Sequence, residues 1–505
     1  MMRVTLLAGI ATASLTVATP ALADTLRDAL VQAYSANPTL LGARARLRQV
    51  DENVPIAKAQ GRPELSSNSI LTENVRRSRA SFVSPQRQLS IGLNAELPIY
   101  QGGSVRNQIR AAKNRVEAGR ASLRSTEADV FTNVVAAYMD VIRDQAIVEL
   151  NASQVSVLET NLQASQDRFN VGDLTRTDVA QSEARLSLAR GQLDSARARL
   201  VASRENYLAV VGKMPEGLEA PPPLPNLPEN VESATEVALE NNPELIAIRK
   251  ESDAARDDVG VARASRYPRL SAIASGDYLN YLDSLNPGTS LPNRSTSAAV
   301  GVQATLPLYQ GVGPGARVRQ SQARLSETLE QTVAAERGVI AQTRSAYASY
   351  VASQAVIRSS ETAVSANELA LEGVRAENSV GTRDVLDVLN AEQELLNSRV
   401  QLVSAKRDAY VAGFALLASM GRAEAKDLGL DGGPLYDPVA NYKRVRNSFF
   451  DWGDDGRQTA KSSSTRSVAP LPSESLAPIN TLAAPAAPAD AMAPAPATEA
   501  TAPAE

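Results

Sequence analysis

The chain contains no cysteine and no histidine. Without cysteine there is no disulfide framework, no thiolate metal site and no sulfur for lipid attachment behind a leader. Without histidine, general acid–base catalysis, the Ser-His-Asp arrangement and most zinc sites lose their usual residue. Aromatics make up 4% of the 505 residues, and Trp452 is the single tryptophan. The formal net charge is −4, or −5 once Arg3 leaves with the leader described below, so nothing in the balance favours nucleic acid as a partner. No enzyme activity, cofactor or metal is expected.

What the chain does have is itself, twice. Asn94-Ala-Glu-Leu-Pro-Ile-Tyr-Gln-Gly-Gly103 returns 209 positions later as Gln303-Ala-Thr-Leu-Pro-Leu-Tyr-Gln-Gly-Val312. The same offset carries Ala137-Tyr138 onto Ala346-Tyr347, Val171-Gly172 onto Val380-Gly381, and Val211-Gly212 onto Met420-Gly421. Upstream the offset is 205, which matches Asn37-Pro38 to Asn242-Pro243 and Pro63 to Pro268. One long unit has been duplicated, and a pseudo-symmetric architecture is expected.

Residues 1–23 read as a secretory signal: Arg3, an apolar run from Val4 to Val17, and Ala21-Leu22-Ala23 before Asp24. The first repeat is placed at 24–219, a stiff Pro-rich connector at 220–228 and the second repeat at 229–430. A C-terminal segment follows at 431–456, and a Pro/Ala-rich tail at 457–505 is expected to be disordered.

Within each repeat the pattern is helix, two strands, very long helix, turn, long helix. The first helices are expected over Thr25–Ala59 and Ser233–Ala264. Leu89, Ile91, Leu93, Ala95 and Leu97 alternate with polar or small residues, as do Ala298, Val300, Val302, Ala304 and Leu306, which is strand periodicity. Partner strands are expected at about 64–74 and 269–281, with turn chemistry at Ser84-Pro85 and Asn286-Pro-Gly288. From Val130 to Phe169 apolar residues step by four and three, a coiled-coil seam interrupted by Asp144, Asn151 and Ser165. The helix carrying it, 104–170, would be about 100 Å long at roughly 1.5 Å per residue. A tube or spacer has a use for such a helix, and a globular domain does not.

Strands of about ten residues fit a tilted membrane-spanning β-strand. Four strands cannot close a barrel, so a spanning sheet requires several chains around one axis. Two hairpins packed on a periplasmic trimeric coiled coil that never inserts, with a structural or adhesive role, remain the alternative. Low aromatic content weighs toward it, because lipid-facing barrels usually carry aromatic girdles. Tyr100 and Tyr309, beside Pro98 and Pro307 where strand gives way to helix, are either interfacial or packed into the junction.

The paired Leu-Pro-Ile-Tyr-Gln-Gly and Leu-Pro-Leu-Tyr-Gln-Gly junctions resemble the TolC family of outer-membrane efflux and secretion channels. So do Phe169-Asn-Val-Gly172 with Thr177-Asp178-Val179, and Val380-Gly-Thr-Arg383 with Leu386-Asp-Val-Leu389. The likeness covers roughly 25–430, and the missing cysteine sets the chain apart from lipidated members. The resemblance implies a mainly α-helical chain whose four strands contribute to a trimeric, twelve-stranded outer-membrane β-barrel above a helical periplasmic tunnel. It implies a homotrimer in outer-membrane lipid, working with a periplasmic adaptor protein and an inner-membrane ABC or RND transporter. By position, Asp387 and Asn390 would lie at the pore constriction and Arg383 would reach Asp178 as a latch between coils. The turns at Val171-Gly172 and Val380-Gly381 would dock the adaptor. Asn390 and Asn378 stand where the family often has an aspartate and an aromatic residue, so weaker cation affinity and a looser latch are expected. Three Asp387 carboxylates at ~6 Å would repel by about 0.7 to 3 kcal/mol per pair.

Overall fold

Asn37 and Asn242 each end one helix and begin the next. In the computed structural model, which describes residues 24–76, 85–285, 290–430, 435–450 and 452–469, α1 (Leu26–Ala36) stops at Asn37 and α2 (Pro38–Asp51) starts immediately after it, followed by α3 (Asn53–Ala59). The Asn37 side chain accepts from the amides of Thr39 and Leu40, and proline takes the first helical position, where no N–H is needed. One continuous helix over 25–59 was the expectation; the Asn-Pro pair breaks it. The second copy breaks the same way between its short and long initial helices, Val231–Asn241 and Pro243–Ala264. The leader, Ser84 and the Asn286-Pro-Gly288 turn lie outside the described residues.

The chain continues through β1 (Glu64–Glu73), β2 (Arg87–Gln101), α4 (Ser104–Asn170) and α5 (Arg176–Val211). The second copy supplies α6 (Val231–Asn241), α7 (Pro243–Ala264), β3 (Arg269–Asn280), β4 (Arg294–Thr305), α8 (Gly313–Ser379) and α9 (Val385–Ser419). A short α10 (Ala440–Val445) follows. Both long helices have 67 residues, and α4 occupies the expected 104–170. No helix among the described residues is long and apolar enough to cross a bilayer.

Four strands form one antiparallel sheet in the order β1-β2-β3-β4. Its register sorts the alternation of every strand onto common faces. Leu65 lies opposite Ala95, Ala95 opposite Ala274, and Ala274 opposite Val300. Three residues along, Asn68, Gly92, Asp277 and Ser297 form a row on the other side. One face is thus apolar along β2 and largely so in β3 and β4, with Ser67 and Ser69 interrupting it in β1, and the other is largely polar. A bulge between Pro98 and Tyr100 puts Tyr100 opposite Leu270, on the apolar face. In the second copy β4 ends at Thr305, before Pro307 and Tyr309.

Below the sheet, α4 with α5 and α8 with α9 make two antiparallel coiled coils. Of the expected α4 seam, Val130, Val134, Ala137, Val141, Asp144, Asn151, Leu158 and Ser165 are buried, whereas Phe169 at the tip is exposed. The main core gathers where α1, α2, α4, α5 and the end of α9 meet, around Phe131, Tyr138, Tyr207 and Phe414. The duplicated tyrosines fasten the connector at both ends: Tyr138 donates to the carbonyl of Glu219 at 2.7 Å and Tyr347 to that of Glu229 at 2.9 Å.

Beside this core, Glu127 accepts from the amide of Ala425 at 2.7 Å and neighbours Glu424, which pairs with Arg124. Burial pushes both carboxyls above the ordinary glutamate value of 4.5. A raised folded-state value means stability that is complete below the unfolded pKa and is lost as pH rises through the folded one. Glu127→Gln, which keeps an acceptor for Ala425, should therefore melt higher than the parent at neutral pH, and the gap should close as pH falls to about 4.5. Thermal unfolding at several pH values measures this.

Candidate functional site

At the far end from the sheet, each coil turns through a glycine in the left-handed region, Gly172 at φ +82° and Gly381 at φ +79°. Their neighbours Val171 and Val380 are exposed, so both tips present an apolar side chain to solvent.

The two turns differ at the next residues, and the difference sets what their aspartates do. Asp178 and Asp387 occupy the same repeat position, the third residue of α5 and of α9. Before α5, Thr175 caps the helix: its amide and hydroxyl both donate to the Asp178 carboxylate at 2.8 Å, and the Asp178 amide returns a bond to the hydroxyl. These donors hold the Asp178 carboxyl below the usual aspartate range. Before α9 the cap is Asp384, which makes no side-chain cap bond. A carboxylate cannot donate to a second carboxylate, so Asp387 is left outside any capping box and takes Arg383 at 3.4 Å.

Arg383 also donates to Glu377 at 2.7 Å, across the turn on α8. The Asn378 side chain donates to the Arg383 carbonyl at 2.8 Å, closing the turn. The expected link between Arg383 and Asp178 is not formed within the protomer. Both groups have nearer partners, Thr175 for the aspartate and Glu377 with Asp387 for the arginine.

Other residues join the two coils. Arg185 of α5 donates to Asn390 of α9 at 2.7 Å. Glu392 of α9 is 3% exposed, and both its oxygens accept from Asn161 of α4 at 3.1 Å. Arg375 of α8 completes its shell at 3.0 Å. A buried carboxylate thus ties three helices together roughly 14 Å from the tip, counting nine residues of α4 at about 1.5 Å each. Sequence reasoning passed over Glu392. Its signal was a carboxylate inside the stripe Val385, Leu389, Glu392, Leu396, where helical spacing places an apolar residue.

At the sheet end, Tyr100 and Tyr309 are both exposed, as are Leu306 and Leu308. Tyr309 stands almost wholly in solvent, while Tyr100 is half-buried beside the junction. The outer strands β1 and β4 are exposed along their whole lengths.

Comparison with known proteins agrees with this geometry. The family model described as "Outer membrane efflux protein" matches residues 29–213 and 234–422, one stretch per repeat. The chain is 33% identical over 430 residues to the outer membrane efflux protein BepC of Brucella suis biovar 1, covering 85% of this chain and 92% of that one. It is 29% identical over 313 residues to the alkaline protease secretion protein AprF of Pseudomonas aeruginosa, covering 61% of this chain and 64% of the other. Among solved structures, the outer membrane protein VceC of Vibrio cholerae superposes with a TM-score of 0.68 at 24% identity, over 78% of this chain and 96% of that one. The CmeC outer membrane channel of Campylobacter jejuni gives 0.70 at 17% identity, over 84% and 89%. By sequence match over both repeats and by fold, this chain belongs to the outer membrane efflux protein family.

Proposed function

We propose that three copies of this chain form one outer-membrane channel, a passive exit duct for substrates delivered by an inner-membrane transporter through a periplasmic adaptor. The observation that carries the reading is the sheet: one largely apolar face, with Val300 88% exposed, and two unpaired edges at β1 and β4. Unpaired edges in lipid would leave backbone groups unsatisfied at several kcal/mol each. Pairing β1 of one protomer with β4 of the next removes both edges and closes about twelve strands. Strands of ten to fifteen residues, tilted as in known barrels, suit an apolar band about 25 Å tall. A coiled coil that stays in the periplasm leaves that face in water, which argues against the structural or adhesive alternative.

In this reading Asp387 and Asn390 line the constriction, and Val171-Gly172 with Val380-Gly381 form the adaptor-docking tips. Pro98, Tyr100, Pro307 and Tyr309 mark the passage from barrel to tunnel. Arg383 would reach Asp178 as a latch across the boundary between neighbouring protomers. A wide polar tunnel makes few demands on cargo, so the choice between small-molecule efflux and protein secretion rests with the transporter.

Single-channel recording in a planar bilayer tests the function and the latch together. The parent protein should insert with a small, steady, cation-selective conductance, and Arg383→Ser should raise it. Insertion with unchanged conductance in the variant removes Arg383 from the latch. A folded preparation that never inserts returns the chain to the periplasmic alternative.

A further inference from the structure

After α9 the chain does not stop at the main core but climbs the outside of α2 and α3, making one contact after another in order. The Tyr436 amide donates to the Tyr34 hydroxyl at 3.0 Å, and the Arg44 guanidinium lies 5.0 Å from the Tyr436 ring. Further up, Asn441 donates to the fully buried Asp51 at 2.9 Å, and Arg120 lies 5.0 Å from the Tyr442 ring. Lys58 donates to the Arg446 carbonyl at 2.6 Å, and Arg62 donates to that of Ser448. Arg62 immediately precedes Pro63, and β1 starts at Glu64. The strap therefore arrives at the root of the sheet.

There it forms a loop closed at its base by a two-pronged pair, Arg444 to Asp455 at 2.8 and 3.0 Å. The loop carries Phe449, Phe450 and Trp452, which are 68%, 81% and 95% exposed. The two phenylalanine rings meet edge to face with centroids 5.5 Å apart, and the Arg62 guanidinium sits 5.6 Å from Phe449. Three large aromatics held in water on a pinned loop are a costly arrangement for an otherwise aromatic-poor chain.

We propose that this loop is a membrane anchor, in which Phe449, Phe450 and Trp452 enter the periplasm-facing phospholipid surface beside the barrel root. The inference rests on the outer-membrane reading above. Continuity with the apolar face of the sheet carries it: β1 rises from the residue next to Arg62, so the loop lies at the level where that face must meet lipid headgroups. Tryptophan and other aromatics are the residues favoured at that depth. The charge fits as well. Lys58, Arg62, Arg446 and Lys113 gather at the root closely enough to depress the Lys58 ammonium, through its burial and through its three cationic neighbours. Such a cluster suits anionic phospholipid headgroups and disfavours a basic protein surface. The strap so supplies aromatics at the interface that the four strands themselves largely lack.

Trp452 is the only tryptophan, so the full-length protein carries its own probe. The trimer is reconstituted into vesicles of phosphatidylcholine and phosphatidylglycerol, with and without bromine-labelled acyl chains. Bromolipid should remove most of the emission, and aqueous iodide should remove little. Strong quenching by iodide with none by bromolipid would place the loop in water and overturn the proposal. Protection from both would mean that protein covers it, and would overturn it equally. The double variant Lys58→Gln, Arg62→Gln unpins the loop and should restore emission in bromolipid; undiminished quenching would show that the strand root does not present the anchor. Ion conductance of the same vesicles reports insertion of the barrel separately, so a failed anchor is distinguishable from a failed channel.

Discussion

Gly421→Ala should leave little or no assembled protein in the outer-membrane fraction, while Gly212→Ala, at the matching position of the first repeat, should assemble. Both glycines follow a returning helix in the left-handed region, at φ +70° and +87°, where alanine costs about 1–2 kcal/mol. The surroundings separate them. A Cβ on Gly212 meets nothing within 4 Å, whereas one on Gly421 would stand 2.3 Å from the Asn241 carbonyl oxygen and 3.1 Å from the Asn242 nitrogen. Those atoms are backbone, at the break between α6 and α7, and no rotamer change clears them. Moving the break would also pull the Asn242 side chain from the Ser419 carbonyl, which it now reaches at 2.9 Å. Left-handed strain, a backbone clash and a lost buried hydrogen bond together exceed the roughly 4–5 kcal/mol that marks an exceptional single substitution. Heat-resistant trimer on gels and total chain by immunoblot measure the outcome. Normal assembly of Gly421→Ala would mean that the packing of α9 on that break is looser than these distances state.

The elements of the fold were legible because they are long and strongly periodic. Forty residues of three-and-four stepping leave no alternative to a helix, and unbroken period-two alternation in β2 and β4 leaves none to a strand. The Asn-Pro pairs were visible as duplicates, yet their effect on the first helices was underread. An asparagine that caps the next helix with its side chain ends the previous one at the same residue. The contacts at the tips were less legible. Asp178 and Asp387 look equivalent in the repeat, and only the switch from Thr175 to Asp384 before them gives one a cap and leaves the other for Arg383. The route of the C-terminal strap has no periodic signature. It rests on scattered single contacts, such as Lys58 to the Arg446 carbonyl and Asn441 to Asp51, which no pattern in either partner announces.

Glu392→Ala should open the channel, raising its conductance toward a fully open level while the trimer stays intact. Glu392 is the buried carboxylate near the tip through which α9 holds to α4, by two bonds from Asn161, and to α8, by one from Arg375; Arg407 to Asp140 is a second α9–α4 link further from the tip. Any opening that draws the tip of the α8–α9 coil away from the α4–α5 coil must break the Asn161 bonds as well as the outer Arg185–Asn390 bond. Hydrogen bonds to a charged group contribute about 1.5–3 kcal/mol. Removing them from the closed state by about 2 kcal/mol in each of three protomers shifts the closed-to-open ratio by about 6 kcal/mol, or roughly 10⁴-fold if the coils move together. Stability should suffer less than for a fully buried ion pair, because the Arg375 side chain is half-exposed and can take water in place of the carboxylate. Asn390→Ala removes only the outer Arg185 bond, and its effect should be several-fold smaller. Asn161→Ala supplies the control: it leaves the Glu392–Arg375 pair in place, yet should open the channel nearly as far, since the bridge between coils is what is lost. Parental conductance in both Glu392→Ala and Asn161→Ala, from trimers of normal stability, would move the gate away from this carboxylate and back to the contacts between protomers around Asp387.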